Sequence, residues 1–314
     1  MRKIAALLAL ACLPLASAAQ PNIVHIVVPF APGGVQDILA RTLAPDLGTA
    51  LGRNVIVENR AGAGGTIGTA SVAKSAPDSQ TLVFAAASHT IAGTLYAKLP
   101  YHPLDDFTPV AHVGSVDYVL MTGAQVPAKS VSEFISYAKG HPGQLNYASA
   151  GNGSATHLAA AYFANLAGLD MVHVPLKATG EAINEVLAGR AQLVVAANIG
   201  AIPFAKDARV RLLGVTGARR SRFLPGLPAV GEQLPGYVFD SWLGMLGPAG
   251  MPKATVTEIN SAVNKLLQDP SMLERLAKQG VEPQAMTPEA FGALLRADFQ
   301  KMAKVVKASG ARID

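Results

Sequence analysis

The chain has 314 residues, half of them hydrophobic and 15% charged, with a formal net charge of +5. That length exceeds one ordinary core and predicts two lobes of roughly 100–150 residues. Scattered glycines and prolines in an apolar background exclude a disordered or collagen-like chain, and the small basic excess gives no basis for a nucleic-acid partner.

The first residues, "MRKIAALLALACLPLASAAQ", carry Arg2 and Lys3, an apolar run from Ile4 to Leu15 and small residues from Ala16 to Ala19. The pattern predicts a cleaved secretory signal over residues 1–19, hence a periplasmic, soluble product. The apolar run falls short of the ~20 residues a membrane span needs. Lipoprotein processing at Cys12 is a lesser alternative, because "ALAC" lacks a bulky residue three places before the cysteine. Cys12 is the only cysteine, so the mature chain has no disulfide and depends on its core.

Ile23–Phe30 is a continuous apolar run, as expected of a strand buried on both faces. Beyond Gly34, residues Val35, Ile38, Leu39, Leu43 and Leu47 recur at helical spacing, and Pro45 predicts a kink or a split. Asn54–Asn59 reads as a strand, "GTIGTASVAKS" as a glycine-started helix and Thr81–Ala87 as another strand. This rhythm predicts βαβ units on a mainly parallel sheet. It restarts at Ser130 and Glu133, which have capping-box spacing. Leu145–Ser149 is a strand leading through a glycine-rich turn into the helix "ATHLAAAYFANL". "MVHVP", "AQLVVAA" and "VRLLGVT" supply three more strands.

After Pro235 the pattern predicts helix to the end. Thr255 and Glu258 repeat the capping box ahead of a Val256, Ile259, Val263, Leu266 face, and Thr287–Pro288 opens a further helix. This block has no counterpart in the second half and is expected to pack back on the first lobe. Residues 20–120 and 236–314 then form lobe 1 and residues 121–235 form lobe 2, with crossings near 120 and 235.

No G-x-S-x-G elbow or P-loop lysine occurs, and histidines 25, 89, 102, 112, 141, 157 and 173 have no metal-ligand spacing. "GAGGTIG" departs from a dinucleotide fingerprint because its third glycine falls one place late. No catalytic residue, metal or cofactor is assigned. What remains are strand–glycine–helix junctions: "PFAPGGVQD", "ASAGNGSATH" and the weaker "AAASHTIAG". A helix start offers unpaired N–H groups and about half a positive charge. Glycines admit a ligand to the backbone, and Ser88, Thr90, Ser149 and Ser154 add hydroxyls. Two such junctions make an anion site without Arg or Lys, at the carboxyl ends of strands. Asp37 reads as a dipole partner in the first turn and Arg41 as its ion pair one turn on. His157 and His173 read as scaffold, Lys177 as a solvated charge, and Trp242 as either pocket wall or core.

"VPFAPGGVQDILAR", "VENRAGAGGTIG", "YASAGNGSATHLA", "HVPLK", "FLPGLPAVGE" and "WLGMLGPAGMPK" resemble, in order and spacing, the solute receptors of tripartite tricarboxylate transporters, the Bug family. The resemblance covers essentially the whole mature chain. It implies an α/β, two-lobed type II periplasmic-binding-protein (Venus flytrap) fold closing on a small organic carboxylate. It also implies delivery by a monomer to a membrane permease of one large and one small subunit. Carried onto this sequence, the ligand contacts are Phe30, Ala31, Gly33, Gly34, Ser149, Gly151 and Ser154. Ser88 and Asn198 are added for their places at strand ends. The chain departs from the family at Leu176-Lys177-Ala178, where Tyr-Lys-Gly is usual, and at Glu181, His102 and Ala229. Loss of the ring at Leu176 predicts a reshaped pocket wall. Two other readings stay open: a receptor for a membrane sensor, and an exported enzyme using His89 or His157 as base.

Overall fold

The computed structural model describes residues 23–77 and 81–311. The signal segment and Cys12 lie outside the described residues. The first half runs β1 (Ile23–Val28), α1 (Val35–Leu51), β2 (Asn54–Asn59), α2 (Thr66–Ala73), β3 (Thr81–Ala86) and α3 (Ala87–Leu95). β1 pairs in parallel with β2 and β3, the arrangement that βαβ crossovers produce. Leu39, Leu43 and Leu47 of α1 are fully buried, as the spacing predicts. Pro45 does not split α1, which runs unbroken from Val35 to Leu51. Arg41 and Pro45 both lie on the exposed face, so the carbonyl released by the missing N–H is on the water side.

A long strand, β4 (Phe107–Gly123), then leaves this sheet and enters a second one. It precedes α4 (Val131–Lys139), β5 (Leu145–Ser149), α5 (Ala155–Ala167), β6 (Met171–Pro175), α6 (Thr179–Leu187), β7 (Leu193–Ala197), α7 (Asn198–Ala201) and β8 (Val210–Val215). β5 pairs in parallel with β6 and β7, while β7 and β8 run antiparallel to β4. Ser130 caps α4 through its Oγ, which accepts the Glu133 N–H at 3.1 Å. The Glu133 carboxylate accepts from Lys129 rather than from the cap residue itself.

The prediction of helix throughout the last eighty residues is corrected by β9 (Asp240–Pro248), which runs antiparallel between β3 and β4. Its run of apolar residues is buried on both faces and carries no alternation, so period alone cannot separate it from helix. The remaining elements are α8 (Lys253–Leu266), α9 (Pro270–Lys278), the two-residue β10 (Glu282–Pro283) and α10 (Pro288–Ser309). α8 begins after Pro252, two residues before Thr255, so the second capping box does not form. Thr287 does cap α10, accepting the Ala290 N–H, with Pro288 at the first helical position. α10 packs on α3 of the first half and also on α5 of the second. The terminal block therefore braces both halves, not the first alone.

β4 changes partners abruptly. Asp117 is the last residue opposite β9, facing Asp240, and Tyr118 is the first opposite β7. Thr216 stitches the two crossings together. Its N–H donates to Tyr118 O, its Oγ1 accepts the Tyr118 N–H at 2.8 Å, and its carbonyl accepts from Phe239.

Candidate functional site

Where the two halves face each other, at the carboxyl ends of β1, β3, β5 and β7, lies a cavity of about 30 Å³. Its walls come from helix starts. The β1–α1 junction supplies Phe30, Ala31, Gly34, Val35 and Gln36, and α3 supplies Ser88. The β5–α5 junction supplies Ala150, Ser154, Ala155 and Thr156, α6 supplies Ala178 and Thr179, and Tyr118 and Ala197 complete the lining. No lining residue is charged. Four helices, α1, α3, α5 and α6, thus bring their positive ends and first-turn N–H groups to one small space. Such a space favours an anion and disfavours a cation.

The sequence-predicted contacts divide. Phe30, Ala31, Gly34, Ser88 and Ser154 line this cavity. Gly151 lines an adjoining cavity of about 410 Å³, shared with Leu176, Lys177 and the 61–65 segment. Phe30, Ala31 and Ala150 form the wall between the two. Gly33 lies outside the lining, and its N–H donates to Asp37 Oδ2 at 2.9 Å. Ser149 is fully buried behind the loop, with Oγ 2.7 Å from His173 Nε2 and accepting the Gly151 N–H. Asn198 turns away to the terminal block, its Nδ2 3.5 Å from Gly280 O. Thr90 is buried against Asp298 at 2.6 Å. Gln36, Tyr118, Thr156, Ala178 and Thr179 were not legible as lining residues, because no glycine precedes the α6 start and Gln36 lies beyond the glycine pair.

Behind the first junction, the Asp37 carboxylate accepts from Gly33 N–H, from Arg41 Nε at 2.8 Å and from Asn59 Nδ2 at 2.9 Å. Asn59 also donates to Phe30 O. Burial alone raises the Asp37 pKa, but these hydrogen bonds outweigh it and hold the carboxyl below its ordinary range. Asp37→Ala removes the acceptor common to all three donors. It should cost about 2–3 kcal/mol of stability by urea unfolding at pH 7 and weaken ligand binding at the same time. Unchanged unfolding would contradict this role.

Behind the second junction, Tyr147, His173 and His157 form a stack, with the two imidazoles 4.0 Å apart. His157 Nδ1 accepts the Gly153 N–H at 3.2 Å. Burial pushes His157 down to about 4 and, with help from His157, His173 down to about 3. His89 is enclosed by Tyr101, Phe107 and Trp242, and its Nε2 donates to Pro103 O at 2.7 Å. Neither His89 nor His157 lines the cavity, so the bases named for an enzyme do not face a substrate. Trp242 is core, with Nε1 donating to Asp298 at 2.8 Å.

Across the cleft mouth the halves touch. Tyr96 Oη lies 2.9 Å from Ala63 O and 3.3 Å from Asn152 O, so one hydroxyl bridges a loop of each half. Gly64 approaches the Asn152 carbonyl so closely that no Cβ fits between them.

A family model described as tripartite tricarboxylate transporter family receptor matches residues 39–311. The fold is similar to that of the periplasmic binding protein BugD, with a TM-score of 0.88 and 31% identity over 92% of this chain and 98% of that one. It is similar to Rpa4515 of R. palustris, solved with adipate, with a TM-score of 0.89 and 32% identity over 94% and 100% of the two chains. MatC of Rhodopseudomonas palustris, solved with bound malate, has a TM-score of 0.86 and 32% identity over 90% and 98%. The chain belongs to the tripartite tricarboxylate transporter receptor family, whose members are periplasmic solute-binding proteins of two-lobed α/β fold and not enzymes.

Proposed function

We propose that this chain, exported by its residue 1–19 signal, works in the periplasm as a monomer that captures a small organic carboxylate between its lobes. It delivers the acid to the large and small membrane subunits of a tripartite transporter. The observation that carries the reading is the convergence of four helix starts on a cavity with no charged side chain. Peptide N–H groups and the hydroxyls of Ser88, Ser154 and Thr179 then grip the carboxylate, with no cationic side chain in the lining. The adipate and malate found in solved relatives support a small acid of this kind as the ligand. Lobe 1 comprises residues 20–120 and 236–314, and lobe 2 residues 121–235. Closure turns on the crossings where β4 changes partners and where residues 238–240 return.

The test is a thermal-shift and calorimetric screen of the mature protein against mono-, di- and tricarboxylates, with amines as controls. A bound acid at one hundred times its Kd should add about 2.7 kcal/mol of stability, a shift of several degrees. Stabilisation by none of the acids, or tighter binding of amines, would contradict the reading.

A further inference from the structure

We propose that Gln36 reads a hydroxyl on the ligand, so that the site selects a hydroxy-substituted carboxylate over its deoxy counterpart. The inference rests on the carboxylate reading above. Gln36 is the second residue of α1, lines the cavity and is only 6% exposed. Its carboxamide has no hydrogen-bond partner among the described residues, unlike the neighbouring Asp37, whose carboxylate accepts three hydrogen bonds. A primary amide presents two N–H donors and one acceptor oxygen. When the lobes close on a ligand, all three lose access to water, and an unmatched group then costs about 1–3 kcal/mol.

The rest of the lining restricts what can match it. Phe30, Ala31, Val35, Ala150 and Ala155 offer no polar side chain, the hydroxyls of Ser88, Tyr118, Ser154, Thr156 and Thr179 form no hydrogen bond with Gln36, and the helix starts offer N–H donors to a carboxylate. A carboxylate only accepts, so it can take the amide N–H groups but leaves Oε1 of Gln36 unpaired. The missing partner is a donor on the ligand. An ammonium group would supply one, but a cation is opposed by four helix starts and no acidic residue lines the cavity to offset them. A hydroxyl donates without charge and also accepts from the amide. A site built around such a pair rejects the analogue lacking it much more strongly than an apolar pocket rejects one extra methylene.

Calorimetry on acids that differ by one hydroxyl tests this: malate with succinate, citrate with tricarballylate, and 3-hydroxybutyrate with butyrate. In the pair that binds, wild type should favour the hydroxy acid by about 10-fold or more. Gln36→Met, similar in length and without polar hydrogens, should bring the two members within about 3-fold, chiefly by weakening the hydroxy acid. Gln36→Leu repeats the measurement should the methionine variant fold poorly. Equal binding of both members by wild type, or an undiminished preference in Gln36→Met, overturns the assignment and leaves the receptor reading intact. Failure of every carboxylate to bind overturns both.

Discussion

Gly64→Asn should weaken ligand binding by about 100-fold or more while leaving the unliganded protein folded, with its melting temperature near that of wild type. Gly64 has φ +63°, and a Cβ built on it would sit against the Asn152 carbonyl and 3.0 Å from Tyr96 Oη. Gly64 belongs to the first half and Asn152 to the second, so the collision with the Asn152 carbonyl exists only when the halves are together, while the Tyr96 hydroxyl, at the far end of its side chain, can give way. Asparagine tolerates the left-handed backbone better than other side chains, which separates the steric effect from local strain. A receptor held open by one side chain keeps both half-sites but loses their simultaneous grip. Its apparent affinity falls by the fraction of time the closed form is populated, and a penalty of about 2.7 kcal/mol is a factor of 100. Gly52→Asn is the matched control. Its φ is also +63°, but a Cβ there meets no atom within 4 Å. Calorimetry should find Gly52→Asn close to wild type. An affinity for Gly64→Asn within about 3-fold of wild type would show that closure at this edge does not limit binding.

The parts of this molecule legible in the sequence are those governed by local rules. β2 and β5 appear at Asn54–Asn59 and Leu145–Ser149 as read, because strand periodicity and flanking turns are contained in the segment itself. The glycine junctions were legible for the same reason, since a bare helix start is a local feature. The crossing strands were not. β4 and β9 are buried by partners far away in the chain, and their apolar runs carry no period that separates strand from helix. Among site residues, type and proximity were legible but orientation was not. Gly33 and Ser149 sit in the right loops, yet the Gly33 N–H goes to Asp37 and the Ser149 hydroxyl meets His173. Thr179 and Gln36 reach the cavity through the angle of their helices, which tertiary packing decides. The Gly64–Asn152 approach joins loops 88 residues apart in sequence, and a glycine alone does not announce what comes close to it.

Lowering the pH from 7 to 5 should cost the unliganded protein about 4 kcal/mol of unfolding free energy. Burial holds His89 and His157 at about 4 and His173 at about 3, against 6.5 for a free imidazole. Because each folded value lies below the unfolded one, stability is full above pH 6.5. It drains as the unfolded chain takes up protons that the folded chain refuses. At pH 5 each imidazole has lost 1.5 units of this advantage, about 2 kcal/mol, or about 6 for the three. Asp117 acts in the opposite sense. Burial, Asp240 and Glu282 raise it to about 6, so the folded state takes its proton first and regains about 1 kcal/mol by pH 5. The raised Asp298 works in the same direction as Asp117. Carboxylates held low, such as Asp37, stay ionised through this window and begin to matter only near pH 4. Urea unfolding at the two pH values, at fixed ionic strength, measures the difference, and His157→Gln should reduce it by about 2 kcal/mol. Equal unfolding free energies at both pH values would mean that these imidazoles reach water in the folded state. In the folded chain His157 and His173 stay neutral through this window, so the Gly153 N–H keeps its acceptor on His157 and Ser149 its contact with His173, and the affinity of the folded protein should hold across the pH interval in which stability falls.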